Sequence, residues 1–154
     1  MALPLSNNFP DSFFRVTVKG LCYKDGKVLL LKESEKLSNK WEMPGGGLDF
    51  GEDIIACLKR EIKEETGLVV TQVSKQPVYI WTWRFENSRH MDWYYSLVLA
   101  YRIELENLDF TPSDECVEMR FFSKEGLQDA ELHKQTTYLK TIFNPADFSE
   151  ESYD

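Results

Sequence analysis

At 154 residues the chain fits one domain with room for a real core, and 42% hydrophobic with 29% charged residues sets it among ordinary globular proteins rather than disordered ones. A formal net charge of -8 argues against a polyanion binder working through a basic surface, because nucleic-acid affinity rests on Lys and Arg neutralising phosphates. An acidic protein that handles phosphate needs positive charge from elsewhere, and a bound divalent cation supplies it.

In chain order, residues 1–14 lack a basic start followed by an apolar run, so no signal peptide is read there. Phe13 to Tyr23 is rich in β-branched and aromatic residues and predicts a strand. Lys24-Asp25-Gly26 is a hairpin signal leading into a second strand, Val28 to Leu31. Trp41 to Met43 reads as short and extended, and Gly45-Gly46-Gly47 after Pro44 as a break in all regular structure. Asp53 can cap a helix that runs to about Thr66 and stops at Gly67. Further strands are expected at Val69 to Val73, Val78 to Phe85, Tyr94 to Ile103 and Val117 to Phe122, and a second helix over Leu132 to Phe143. Residues 1–143 then form a single domain, an α/β layered fold around a mixed sheet, and the acidic, polar tail 144–154 is expected to fray. Cys22, Cys57 and Cys116 are odd in number and show no CxxC spacing, which suits free thiols in a reducing compartment. No stretch approaches the roughly 18 apolar residues that span a bilayer. The reading is a cytoplasmic protein without membrane contact.

The informative segment is Gly46 to Leu68. On a helical wheel Ile54, Ile55, Leu58 and Ile62 form one apolar stripe, with Lys59 and Lys63 opposite. Glu61 and Glu65 fall on the apolar side, with Glu64 at its flank. Carboxylates three and four residues apart repel one another, and turning them toward the protein raises the penalty. A solvated acidic face would place them with the lysines. A hard cation resolves the conflict, since Mg²⁺ takes oxygen ligands and is held by one or two carboxylates together with substrate phosphates.

Gly46, five residues, Glu52, seven residues, then Arg60-Glu61-Ile62-Lys63-Glu64-Glu65-Thr66-Gly67-Leu68 resembles a complete Nudix box, and Trp41-Glu42-Met43-Pro44-Gly45-Gly46 resembles the usual approach to it. Every defined position over 23 residues is filled, which makes the match specific. The resemblance implies a Nudix fold, an α/β/α sandwich whose box forms a loop-helix-loop. It implies that Glu61, Glu64 and Glu65 bind a divalent metal, Mg²⁺ with Mn²⁺ as a substitute, joined by the carbonyl of Gly46. It implies that Arg60 is a structural partner of Glu52 that orients the loop; an ordinary helix pair between Arg60 and Glu64 is the alternative. The implied reaction is hydrolysis of the phosphoanhydride of a nucleoside diphosphate linked to another moiety, such as a nucleoside triphosphate, a nucleotide sugar or ADP-ribose. A Nudix-like sensor that binds a nucleotide without turnover is the competing reading.

Other candidates are weaker. Gly45, Gly46 and Gly47 allow close backbone approach to metal or phosphate, or make a plain turn. Lys32 at a strand end could meet a phosphate or simply be exposed. Among Asp114, Glu115 and Glu118, Glu118 is the candidate for an extra metal ligand, against a solvated loop acid. Trp81, Trp83 and Phe85 alternate on one strand face, with Trp93 on the next strand; they could stack on a nucleobase or fill the core. His90 lies in the connection 86–92, and His133 has no evident role. A small-molecule nucleotide is the expected partner, with no nucleic-acid duplex; oligomeric state stays open between monomer and homodimer.

Overall fold

The computed structural model describes residues 13–86 and 93–148. Strands β1 (Phe14–Lys24) and β2 (Lys27–Glu33) form the expected hairpin, with Asp25 and Gly26 both at positive φ (50° and 80°) as a two-residue turn requires. β3 (Trp41–Glu42) and β4 (Gly45–Gly47) follow, then α1 (Ile54–Thr66). Next come β5 (Val70–Glu86), β6 (Trp93–Leu105), β7 (Cys116–Ser123), α2 (Lys124–Asp129), and α3 (Leu139–Ile142) between 3-10 turns at Lys134–Thr136 and Pro145–Phe148. The sheet order is β3-β2-β1-β6-β5, with β4 on β1 and β7 on β2; β1 and β6 run parallel, so the sheet is mixed as expected.

The two sheet faces bury separate cores. Val18, Cys22, Leu29, Tyr101 and Ile103 pack with Cys57, Leu58 and Ile62 of α1 on one face. Leu21, Val28, Leu30, Trp81, Val98 and Ala100 pack with Leu127, Leu132, Leu139, Phe143 and Phe148 on the other. This is the α/β/α arrangement. The cysteines are free and buried, and burial raises each thiol, to about 11, 11 and 12 for Cys22, Cys57 and Cys116, so they stay protonated. Among the described residues no helix is long and apolar enough to cross a membrane.

Several boundaries differ from expectation, for physical reasons. The glycine run is strand, because β1 offers it a ladder: Thr17, Val18 and Lys19 pair with Gly47, Gly46 and Gly45. The two expected strands over 69–85 are one strand, β5, whose register against β6 shifts around Pro77, a residue with no N–H to donate. No helix starts at Leu132, because residues 131–133 extend along β3: Trp41 N donates to Glu131 O (2.9 Å) and His133 N to Trp41 O (2.8 Å). Beyond it, the Thr137 hydroxyl bonds back to the His133 and Lys134 carbonyls, and α3 has a single turn. A short helix, α2, forms instead after Ser123, whose hydroxyl accepts from Gly126 N at 3.0 Å. The first part of the expected frayed tail is packed: Phe148 is buried, stacks on Tyr23 at 4.7 Å, and its carbonyl accepts from Arg102 at 2.6 Å. Residues 149–154, His90 and the Trp93 side chain lie outside the described residues.

Candidate active site

α1 is built as its sequence dictates. Asp53 accepts from Ala56 N at 3.0 Å, and Gly67 ends the helix in the left-handed region, φ 75°. Leu58 and Ile62 are buried and Lys59 and Lys63 exposed, so the apolar stripe fixes which way the glutamates turn. Glu61 and Glu65 are half-buried, and Glu64 is exposed at the flank.

The stripe brings those carboxylates to the β4 ribbon. Glu65 Oε1 accepts from Gly45 N at 2.9 Å. A Cβ on Gly46 would lie 2.6 Å from the Glu61 carboxylate, so only glycine lets the helix acid come this close. Gly45, at φ 127°, has no room for a side chain against the Val18 carbonyl. Cys57 Sγ reaches Gly47 O at 3.6 Å, a second tie between helix and ribbon.

Arg60 organises the outer side. Its Nε and Nη2 hold Glu52 bidentately, at 2.8 and 3.0 Å. Nη1 also lies 3.1 Å from Glu61 and 3.2 Å from Glu64, so the loop-orienting role and the helix pair operate together. Asp49 stands 3.7 Å from Nη2. The hydrogen bond from Arg60 holds the Glu52 carboxyl down at about 2. Glu65 goes the other way: burial, with Glu61 and Glu42 nearby, outweighs Lys19 and the Gly45 N–H and pushes it up to about 8.

These donors fit a hard divalent cation. They are all oxygens, namely the carboxylates of Glu61, Glu64 and Glu65 and the Gly46 carbonyl, and Glu65 is a half-buried acid with other acids nearby. Glu65 is bonded to the ribbon while Glu61 and Glu64 share Arg60, whose guanidinium offsets the repulsion between those two acids. Among the described residues, the one group of three acidic or His ligand atoms lying within 4.8 Å of one another is Glu33, Glu42 and His133.

That second group belongs to a network with no counterpart in the sequence reading. Glu42 is buried, and its oxygens accept from Met43 N (2.8 Å), Gln135 Nε2 (3.0 Å) and the Thr136 hydroxyl. His133 Nδ1 lies 2.9 Å away and Lys19 Nζ 3.9 Å. Burial alone would raise the carboxyl, but Lys19, His133 and Thr136 overcome it and hold Glu42 at about 2. An ionised carboxylate only accepts, so His133 donates through Nδ1, and the longer 3.4 Å approach of Gln135 N to that nitrogen is not a second bond. Lys19, also buried, donates to the Met43 and Gly45 carbonyls at 3.2 Å each, which ties the network to the ribbon. With its acceptor positions filled and an ammonium beside it, Glu42 is a structural anion. The available signal was a lone charge inside an apolar run: Lys19 between Val18 and Gly20, and Glu42 between Trp41 and Met43.

The carboxylates make stability depend on pH with opposite signs. Glu42 and Glu52 have folded values below the ordinary 4.5, so their contribution is present above pH 4.5 and is lost as pH falls toward 2. Glu65 has a folded value above 4.5, so the folded chain keeps a proton the unfolded chain has lost, and stability falls as pH rises from 4.5 through 8. The melting temperature in EDTA should therefore peak near about pH 5 and decline by pH 8, and Glu65→Gln should flatten that decline. An unaltered slope in the variant would show that another group carries it.

Other candidates land elsewhere. Lys32 reaches the Trp41 ring (5.9 Å) and pairs with Glu118 across the β2–β7 ladder, rather than contacting the glycine ribbon. It lines a cavity of about 600 Å³ with Lys27, Trp41 and Arg120. Glu118 is half-exposed and bonded to Arg120 at 2.9 Å. Asp114 and Glu115 are exposed. Trp81 is core, its Nε1 donating to Gln135 O at 3.0 Å. Trp83 is half-buried, and its Nε1 has no hydrogen-bond partner among the described residues. Phe85 stacks on Tyr94 at 5.2 Å and stands 6.2 Å from His133.

The sequence model of the NUDIX domain matches residues 13–141. RNA pyrophosphohydrolase of Pelagibacter ubique is 40% identical over 53 residues, 34% of this chain and 34% of that one. ADP-ribose pyrophosphatase of Methanocaldococcus jannaschii is 40% identical over 65 residues, 42% and 38% of the two chains. The chain thus matches well under half the length of these two relatives. Nucleoside triphosphatase NudI of Enterobacter sp. is 25% identical over 133 residues, covering 79% of this chain and 91% of that one. The solution structure of the E. coli ORF135 protein superposes with a TM-score of 0.64 at 21% identity, over 83% and 86% of the two chains. A UDP-X diphosphatase gives 0.66 at 16% identity, over 95% and 69%, and such likeness shows a shared fold. With a complete box on α1 and a domain match spanning most of its length, the chain belongs to the Nudix family.

Proposed function

We propose that this protein is a Mg²⁺-dependent hydrolase that cleaves the phosphoanhydride of a nucleoside diphosphate linked to another moiety. The observation that carries the reading is the inward Glu65, bonded to Gly45 beside a Glu61 packed on Gly46, with Arg60 and Glu52 bracing the loop. Three relatives bear names of pyrophosphate or triphosphate hydrolases, which supports the same reaction class.

Glu61, Glu64, Glu65 and the Gly46 carbonyl would hold the ion. When bound, it supplies an acidified water and neutralises phosphoryl oxygens. The protein's share is positioning. Arg60 fixes Glu52 and the loop, Lys19 pins the carbonyls on either side of Pro44, and the ribbon presents backbone where a side chain would block approach. A bound cation would favour the ionised form of Glu65, so metal binding there would release the proton that burial retains.

EDTA should abolish turnover, and Mg²⁺ or Mn²⁺ should restore it. Hydrolysis in ¹⁸O-water should place label in a phosphate product, because water attacks phosphorus. Label found only in a sugar hydroxyl would make this a glycosidic cleavage. Tight nucleotide binding with no product at all would make the chain a sensor instead.

A further inference from the structure

The glycine ribbon is flanked by charge on both faces. Successive residues of a strand point to opposite sides. A Cβ on Gly46 would meet the Glu61 carboxylate, and one on Gly47 would overlap the guanidinium of Arg15, 2.5 Å from Nε and 2.6 Å from Cζ. Arg15 lies in β1, two residues before the Thr17–Gly47 pair, and its exposed side chain lays the guanidinium against Gly47.

Its lack of a partner is the second observation. Arg60, Arg84, Arg102 and Arg120 each have a carboxylate within 4.0 Å. Arg15 has no hydrogen bond or ion pair with any described residue, on a chain carrying -8. Along the same face of β1 come Thr17, bonded to Ser96 at 2.7 Å, and Lys19, committed to Glu42 and two carbonyls. These three β1 positions include no acid. A planar guanidinium beside the ribbon with no acid to pair with suits an oxyanion that can take two parallel N–H bonds.

We infer that Arg15 is a phosphate-binding residue, meeting the diphosphate of the substrate across the Gly45–Gly47 ribbon from the metal-binding carboxylates. The inference rests on the phosphoanhydride reading above. A diphosphate has two anionic phosphorus centres, so one can face the cation held by α1 while the other takes the guanidinium. With no side chain on Gly47, the Arg15 guanidinium can lie directly against the ribbon backbone.

Arg15 is exposed at the start of β1, so replacing it leaves the core intact. The test compares native chain with Arg15→Ala, Arg15→Lys and Gly47→Ala, using calorimetry with inorganic pyrophosphate in excess Mg²⁺, and steady-state kinetics on a nucleotide compound the native chain turns over. Arg15→Ala should raise the pyrophosphate Kd and the KM by about tenfold or more, the loss of a charged hydrogen bond, with the Mg²⁺ requirement and melting temperature unchanged. Arg15→Lys should recover part, and Gly47→Ala, which displaces the guanidinium, should reproduce the loss. Pyrophosphate affinity and KM within about twofold of native in Arg15→Ala would overturn the inference while leaving the reaction class standing. A native chain that turns over no nucleotide compound would overturn the reaction class, and the pyrophosphate titration still decides Arg15.

Discussion

Glu65→Gln should cut turnover by about a hundredfold or more, on the order of 3 kcal/mol in barrier, without lowering the melting temperature of the metal-free protein. The substitution keeps side-chain length and an oxygen able to accept from Gly45 N, so the helix–ribbon bond survives. It removes a buried carboxyl that burial already pushes up to about 8 when no cation faces it. Stability above about pH 5 should even rise, since the folded chain no longer disfavours an ionised group. Glu64→Gln should lose activity to a similar degree through a weaker metal site, though Glu64 is exposed and, among the described residues, tied only to Arg60. Lys59→Gln and Lys63→Gln, exposed on the far side of α1, are the controls and should keep near-native turnover. The measurement is turnover and EDTA melting temperature for all four variants on one substrate. If the lysine variants lose as much activity as the glutamate ones, the active face of α1 has been misplaced. If Glu65→Gln unfolds while its folded fraction keeps native specific activity, Glu65 is a structural acid.

That contrast between α1 faces was legible in the sequence, because a helix carries its own ruler. Asp53, Gly67 and the Leu58–Ile62 spacing set ends and phase locally, and the phase alone turns Glu61 and Glu65 inward. Asp25-Gly26 fixed the hairpin for the same reason, both residues tolerating positive φ. Elements that depend on distant partners were not legible. Gly45–Gly47 have no strand propensity and become strand only because Thr17–Lys19 lie alongside. Residues 132–143 look helical alone, yet Leu132 is drawn onto Trp41 and Gln135 and Thr136 onto Glu42. Phe148 lies in an acidic tail and still finds a pocket against Tyr23, Tyr79 and Phe143. Lys19, Glu42 and His133 meet only after the sheet closes, so no local spacing announces them.

Glu42→Ala should be the most destabilising single change at the site, at about 3 to 5 kcal/mol, the penalty for leaving a buried charge unpaired. Lys19 Nζ would keep its two carbonyls but lose its anion, and Gln135, Thr136 and His133 would each lose an acceptor inside the protein. The effect should reach the ribbon as well. The carbonyls of Met43 and Gly45 are held by the same ammonium, so a relaxed Lys19 loosens the backbone on which Glu65 and Gly46 depend. Removing both charges separates these contributions. Lys19→Met together with Glu42→Gln eliminates the unpaired ion, while the new amide keeps an oxygen for Thr136 and Met43 N, and replacing both members of a buried pair is often nearly neutral. The double variant should therefore be more stable than the sum of the single losses predicts, by about 1 to 3 kcal/mol of coupling in urea unfolding. Its turnover should stay below native, because the carbonyl contacts of Lys19 go with its charge. Additive losses would show that Lys19 and Glu42 are not energetically coupled. Native turnover in the double variant would show that the ribbon holds its shape without the ammonium, through its pairing with β1 and its bonds to Glu65 and Cys57.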